Sequence, residues 1–374
     1  MTTSTLQTEK SEGFGKKLLN KIKGFFVDFG KGCKDFFTNF GKSIKNFFKD
    51  PKTGLKNIWK WIKKQNGWLF LLPAIILMCI FTFYPIVNSL RLAFLEGYNP
   101  LDIYAEVKFG FGNFKDVVEG GLTAADFGIC LKNTLILAFI SVPLSTAIAL
   151  LISVALNSIK ALQKAYQTIF FLPYLTNALA MGAVFASLFQ IIGTPSNIET
   201  YGLVNQVLSW FGVDPINWID MAKGALVPDS TTAANYFVLI VYSTWSGLPF
   251  KILIIFGALQ NVGKQYYDAA KIDGANKSTI LTKITVPLIS PMISYLIITG
   301  FMGALKSYSS VVGIFGPEMG PYSDYEMGTM VGYIYALIEE NQIAYAAAGS
   351  LILFGIILVV TIINNAVSKR TVHY

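Results

Sequence analysis

Residues 133–157 read NTLILAFISVPLSTAIALLISVALN. These 25 residues contain no Lys, Arg, Asp or Glu, and a helix of roughly 20 apolar residues is enough to cross the hydrocarbon core of a bilayer. Pro143 lies in the middle of the stretch. An interior proline costs a water-soluble helix about 3 kcal/mol, whereas packed membrane helices satisfy the freed carbonyl through their neighbours. Five more stretches of this kind occur, at 69–94, 166–192, 236–260, 286–305 and 344–367, with Pro85, Pro173, Pro249 and Pro291 inside four of them. None of the six contains an acidic residue. The pattern predicts an all-α integral membrane protein with six transmembrane helices.

Composition agrees. Of 374 residues, 53% are hydrophobic and 14% charged, where a soluble domain carries about 25% charged residues. That deficit argues against a soluble enzyme, and the hydrophobicity argues against disorder for most of the chain. Cys33, Cys79 and Cys130 form no close pair, and the single histidine, His373, is next to last. A disulfide scaffold, a zinc site, a histidine-based metal site and a Ser-His-Asp triad are therefore not expected.

Charge gives the direction of insertion. Residues 1–64 hold 15 Lys and five acidic residues, whereas residues 65–374 hold 15 basic and 17 acidic residues. With the N-terminus inside, segments 1–68, 158–165, 261–285 and 368–374 hold 23 basic residues, and the outer loops 95–131, 193–235 and 306–343 hold four. Basic residues mark the cytoplasmic side, so both termini are expected in the cytoplasm. The 68 residues before the first span are too many for the n-region of a cleaved signal peptide.

Two regions follow, a basic extension at 1–64 and a six-helix domain at 65–374. Within the extension, aromatic pairs recur at Phe25-Phe26, Phe36-Phe37 and Phe47-Phe48, and lysines at Lys34, Lys45 and Lys56. A spacing of 11 is close to three helical turns and returns each pair to nearly the same face. Aromatics on one stripe and lysines elsewhere suit amphipathic helices lying in the membrane interface. Glycines and Pro51 divide the segment into short pieces. The expected partner of this charge is membrane lipid, not nucleic acid. Gly41-Lys42-Ser43 imitates the end of a P-loop, but Phe36 stands where its first glycine belongs. Any ATPase must be another chain, and this one is expected to bind no cofactor or metal and to be no enzyme.

The connection after the fourth span carries the most specific pattern. Gln265 to Ile272 favours helix, Gly274 can take the left-handed conformation that ends one, and Asn276 or Ser278 can cap a second short helix. Pro287 then opens the next span. Asp268, Ala269 and Ala270 set one charge beside two small side chains, a surface suited to close docking against another protein. Asp268-Ala269-Ala270, three residues, Gly274, nine residues and Ile284-Thr285-Val286-Pro287 resemble the E-A-A signature of the permease subunits of bacterial ABC importers. Asp268 stands for Glu and Val286 for Leu; all spacings match. Leu71-Leu72-Pro73-Ala74, Tyr84-Pro85, Lys132-Asn133-Thr134, Phe171-Leu172-Pro173 and Ala258-Leu259-Gln260 are similar to marks of the carbohydrate-uptake branch, the maltose-transporter-like sugar permeases. The glycine-rich signature of the last outer loop is altered to Gly316-Pro317-Glu318-Met319-Gly320-Pro321.

This resemblance covers residue 68 to the end. It implies a multi-pass subunit of the bacterial cytoplasmic membrane, paired with a second homologous permease, a dimer of ABC ATPases that use ATP, and an extracytoplasmic solute-binding protein. The loop 261–286 would be the coupling element, with Asp268, Ala269, Ala270, Asp273, Gly274, Ile284 and Pro287 as its residues. The cargo would be a sugar or oligosaccharide; relatives that carry glycerol 3-phosphate or another polyol share most of these marks. An ion-coupled secondary transporter, the alternative from another class, usually carries acidic residues in its spans.

Lys251 lies nine residues, about 13 Å, from Gln260 along its helix. One reading makes it a pathway residue that binds substrate hydroxyls or a phosphate; the other makes it a snorkelling or partner-contacting lysine. Trp245 either stacks on a sugar face or anchors its helix at the interface.

Overall fold

The computed structural model describes residues 68–102, 106–159, 163–194, 197–219, 232–320 and 325–371. The basic extension 1–64 and its repeat lie outside the described residues. The chain divides into two compact units at Pro85 and Ile86. In the first, α1 (Trp68–Met78) runs into a π-turn (Cys79–Phe83); the boundary falls in the first turn of α2 (Tyr84–Ala93), at Pro85. Leu77, Phe81 and Tyr84 are exposed, as an apolar helix surrounded by lipid is.

The second unit is built on long helices. After the short pair β1 (Leu95–Glu96) and β2 (Lys108–Phe109) come α3 (Gly112–Glu119) and α4 (Phe127–Ser158). Asp126 caps α4, its carboxylate accepting from Ile129 N at 2.8 Å. Next are α5 (Gln163–Phe171), a 3-10 turn (Leu172–Leu175) and α6 (Ala178–Phe189), followed by β3 (Ile191–Thr194), β4 (Asn197–Tyr201) and α7 (Leu203–Trp210). Then α8 (Thr232–Gln260) leads through α9 (Lys264–Ile272), α10 (Lys277–Ile280) and a second π-turn (Leu281–Thr285) into α11 (Val286–Ala304). The chain closes with α12 (Ser309–Phe315), α13 (Met330–Glu339) and α14 (Ile343–Thr371).

Among the described residues, five helical runs are long and apolar enough to span a bilayer: Leu71–Ala93, Phe127–Ser158, Thr232–Gln260, Lys277–Ala304 and Ile343–Lys369. The third expected span, 166–192, is not one helix. It is a pair, Ala165–Leu175 and Ala178–Phe189, bent by 99°. Pro173 sits in the 3-10 turn and has no N–H to continue the helix. Asn177 then starts a new helix, its Oδ1 accepting from Leu179 N at 2.8 Å. Pro143, Pro249 and Pro291 lie inside helices that continue through them.

Lipid is as apolar as a leucine side chain, so helices in a bilayer associate through close packing and hydrogen bonds more than through the hydrophobic effect. Both devices are present. Gly182 on α6 faces Gly313 on α12, and a Cβ added to either would lie 2.8–2.9 Å from the other's Cα. Asn133 on α4 donates to Glu326 O at 2.8 Å and Gly328 O at 2.9 Å, and accepts from the Tyr236 hydroxyl on α8. Thr134 accepts from Met330 N at 2.9 Å. These bonds fasten the segment before α13 to the central helices. The centre of the unit is the pair α4 and α8, with Leu156, Ile252, Ile255 and Phe256 buried in one cluster with Ile289 and Leu296 of α11.

Candidate functional site

The loop after α8 folds as two short helices around a tight turn. Gly274 has φ +71. Its N–H donates to Lys271 O at 3.1 Å, and Ala275 N–H donates to Ala270 O at 2.9 Å. That double bond is a Schellman motif, which needs a left-handed residue at the glycine's position. Asn276 caps α10 by accepting from Thr279 N at 2.8 Å. The Tyr267 hydroxyl lies 3.4 Å from Thr285 Oγ1 and ties α9 to the foot of α11.

The small residues divide between two faces. Asp268, Ala269 and Asp273 are exposed, and Ile272 is 86% exposed, a large apolar side chain standing in the open. Ala270 is buried against its own chain. Ile284 and Pro287 are half-buried in the π-turn and at the entry to α11. Asp268 pairs with Lys271 at 3.6 Å, an exposed contact of little energetic weight. The outward surface of α9 and its C-terminal cap therefore combines two carboxylates, Asp268 and Asp273, with the Ala269 methyl, Ile272 and the exposed Tyr266 and Lys271.

A cavity of about 240 Å³ opens between α4, α8 and α11. Ser141 and Ser145 contribute from α4, Ser243, Ser246 and Lys251 from α8, and Gly300 and Gly303 from α11. It extends past the end of α11 to Ser307 and Ser310. Lys251 is 6% exposed. Its ammonium donates to Val142 O at 3.0 Å, Ser145 Oγ at 2.5 Å and Thr146 Oγ1 at 3.0 Å. Gly300 lets α11 close over this point, since a Cβ there would lie 2.9 Å from Val142 Cγ1 and 3.6 Å from Lys251 Nζ.

Trp245 does not line the cavity. Its ring packs against Phe185 of α6, with centroids 5.1 Å apart, and against Tyr242. The serine lining was missed in the sequence, although it has a signal there. Ser141 with Ser145, and Ser243 with Ser246, are hydroxyls at helical spacing on otherwise apolar helices.

Comparison with known proteins fits this geometry. The sequence profile of the family described as "Binding-protein-dependent transport system inner membrane component" matches residues 134–373. The chain belongs to this family. It is a permease subunit, a multi-pass protein of the cytoplasmic membrane and a transport protein, not an enzyme. The lactose transport system permease protein LacF of Rhizobium radiobacter is 28% identical over 303 residues, covering 80% of this permease and 91% of LacF. The arabinooligosaccharides transport system permease protein AraP of Bacillus subtilis is 27% identical over 310 residues, covering 82% of this permease and 89% of AraP. The fold is that of a chain in the crystal structure of a bacterial alginate ABC transporter in complex with an alginate pentasaccharide-bound periplasmic protein. That match has a TM-score of 0.66 at 24% identity, over 83% of this permease and 97% of that chain.

Proposed function

We propose that this permease forms half of the translocation pathway of an ATP-driven importer for a sugar or oligosaccharide. The observation that carries the reading is the match, across 80% or more of this chain, to permeases named for lactose and arabinooligosaccharide transport. A second homologous permease completes the pathway. Two ATPase chains dock from the cytoplasm, and an extracytoplasmic binding protein delivers the solute. Six passes place both termini inside, with the bent pair α5–α6 as the third pass.

In this arrangement the loop 261–286 is the coupling element. Asp268, Ala269, Ile272 and Asp273 face the ATPase, while Ala270, Gly274, Ile284 and Pro287 hold the loop in shape. ATP-driven closure of the ATPases moves this loop and rocks the helices behind it between inward-open and outward-open states. Lys251 belongs to the pathway, and Trp245 supports it by packing α8 against α6. The basic extension lies along the cytoplasmic leaflet.

Co-purification tests the assembly. A tagged chain is expected to bring down an ATPase and a second permease, and in proteoliposomes the complex is expected to hydrolyse ATP faster when loaded binding protein is added. A lone chain that transports on an ion gradient would overturn the reading.

A further inference from the structure

The hydrogen bonds around Lys251 are one-sided. Ser145 Oγ gives its own proton to Ser141 O at 2.6 Å, and Thr146 Oγ1 gives its proton to Val142 O at 2.7 Å. Each acceptor that holds the ammonium therefore has a partner within α4 already. An apolar side chain at position 251 would orphan none of them. The ammonium depends on α4, but α4 does not depend on the ammonium. A charge within the hydrocarbon core of a bilayer is costly, and the helix contact alone gives no return for it.

Nor does the protein neutralise the charge. Among the described residues, ion pairs join Lys115 to Glu119 and Lys271 to Asp268, and no carboxylate pairs with Lys251. The hydroxyls beside it share a second property. Ser141 donates to Leu137 O at 2.6 Å and Ser246 to Ser243 O at 3.2 Å. With their protons committed to their own helices, these oxygens are left to accept. The cavity thus offers one uncompensated cation and a set of hydroxyl acceptors. At about 240 Å³ it is slightly smaller than ordinary ligand pockets of roughly 300–1,000 Å³, a size suited to one sugar unit.

We propose that this cavity binds an oxyanion carried on a hydroxylated skeleton, its negative charge beside Lys251 and its hydroxyls donating to Ser141, Ser145 and Ser246. The proposal rests on the permease reading and narrows its solute to an acidic or phosphorylated sugar unit. A neutral sugar satisfies the serines but leaves the ammonium without a counter-charge.

The test uses the purified complex in nanodiscs and three radiolabelled probes that differ at one carbon: galactose, galacturonate and galactose 6-phosphate. At least one anion is expected to bind about tenfold or more tightly than galactose, and the tighter of the two shows whether carboxylate or phosphate is the group read. Lys251→Met is expected to erase the preference while the complex assembles as before, and Lys251→Arg to retain it. Should Lys251→Met fail to assemble, Ser246→Asp supplies an internal counter-charge and is expected to erase anion binding with Lys251 in place. Equal binding of galactose, absence of anion binding, or a preference that survives Lys251→Met (or Ser246→Asp, where Lys251→Met does not assemble) overturns the proposal. ATP hydrolysis by the same preparation separates the two readings. An active complex without anion preference defeats only the cavity assignment, and a complex without ATPase activity defeats the importer reading itself.

Discussion

Gly274 is held at φ +71 with open space where a side chain would project, so substitution there meets backbone strain and no steric clash. A β-branched residue in this conformation costs about 1–2 kcal/mol, while Asn tolerates it far better. We expect Gly274→Val to abolish the stimulation of ATP hydrolysis by loaded binding protein and Gly274→Asn to keep most of it, at equal membrane abundance. Wild-type stimulation in the valine variant would make the loop a mere connector. The turn was legible in the sequence because a helix end is a local pattern. The burial of Ala270 was not, because it depends on which face of α9 meets the rest of the chain. Asn133 and Thr134 were legible only as a family mark. Asn133 reaches Tyr236, Glu326 and Gly328, and Thr134 reaches Met330, all more than 100 positions away, and no local pattern encodes such a contact.

At the scale of elements, hydropathy located the long helices within a few residues but did not show which would bend. Seven prolines fell inside the six apolar stretches. Only at Pro173 does a helix cap, Asn177, follow closely enough to begin a new helix in another direction. The same limit applied to packing. Gly182 and Gly313 read as ordinary small residues until α6 and α12 cross through them. A Cβ at either position meets backbone, which yields less readily than a flexible side chain, and overpacking of this kind typically costs about 1–3 kcal/mol. Gly182→Val is therefore expected to lower the thermal unfolding midpoint of the purified complex. Gly303→Ala, with nothing near its added Cβ, is expected to leave that midpoint unchanged or raise it. Equal midpoints for Gly182→Val and the wild type would show that the crossing carries no packing load.

For the whole molecule, the proposed orientation rests on charge, and accessibility measures it. Single cysteines placed in a background with Cys33, Cys79 and Cys130 replaced by serine are expected to label from outside at the exposed positions Lys115, Val118, Gln206 and Ser209. From that side they are expected to stay silent at 264–283 until the membrane is permeabilised. Labelling of 264–283 in intact cells would invert the topology. The second π-turn, Leu281–Thr285, lies between the short helices α9 and α10 and the cavity wall on α11. A π-turn is an α-helix carrying one extra residue, and each residue of an α-helix turns the chain by roughly 100° (3.6 per turn). The π-turn takes up that residue as a bulge, so the helix on either side keeps the phase it would have without it. Deleting Thr282 would let the bulge relax to ordinary winding with Gly300 still facing Lys251, whereas deleting Ile293 from the α-helical stretch would swing Gly300 by about a quarter-turn; the bulge is thus the one place on this span where a lost residue leaves the cavity wall facing the right way.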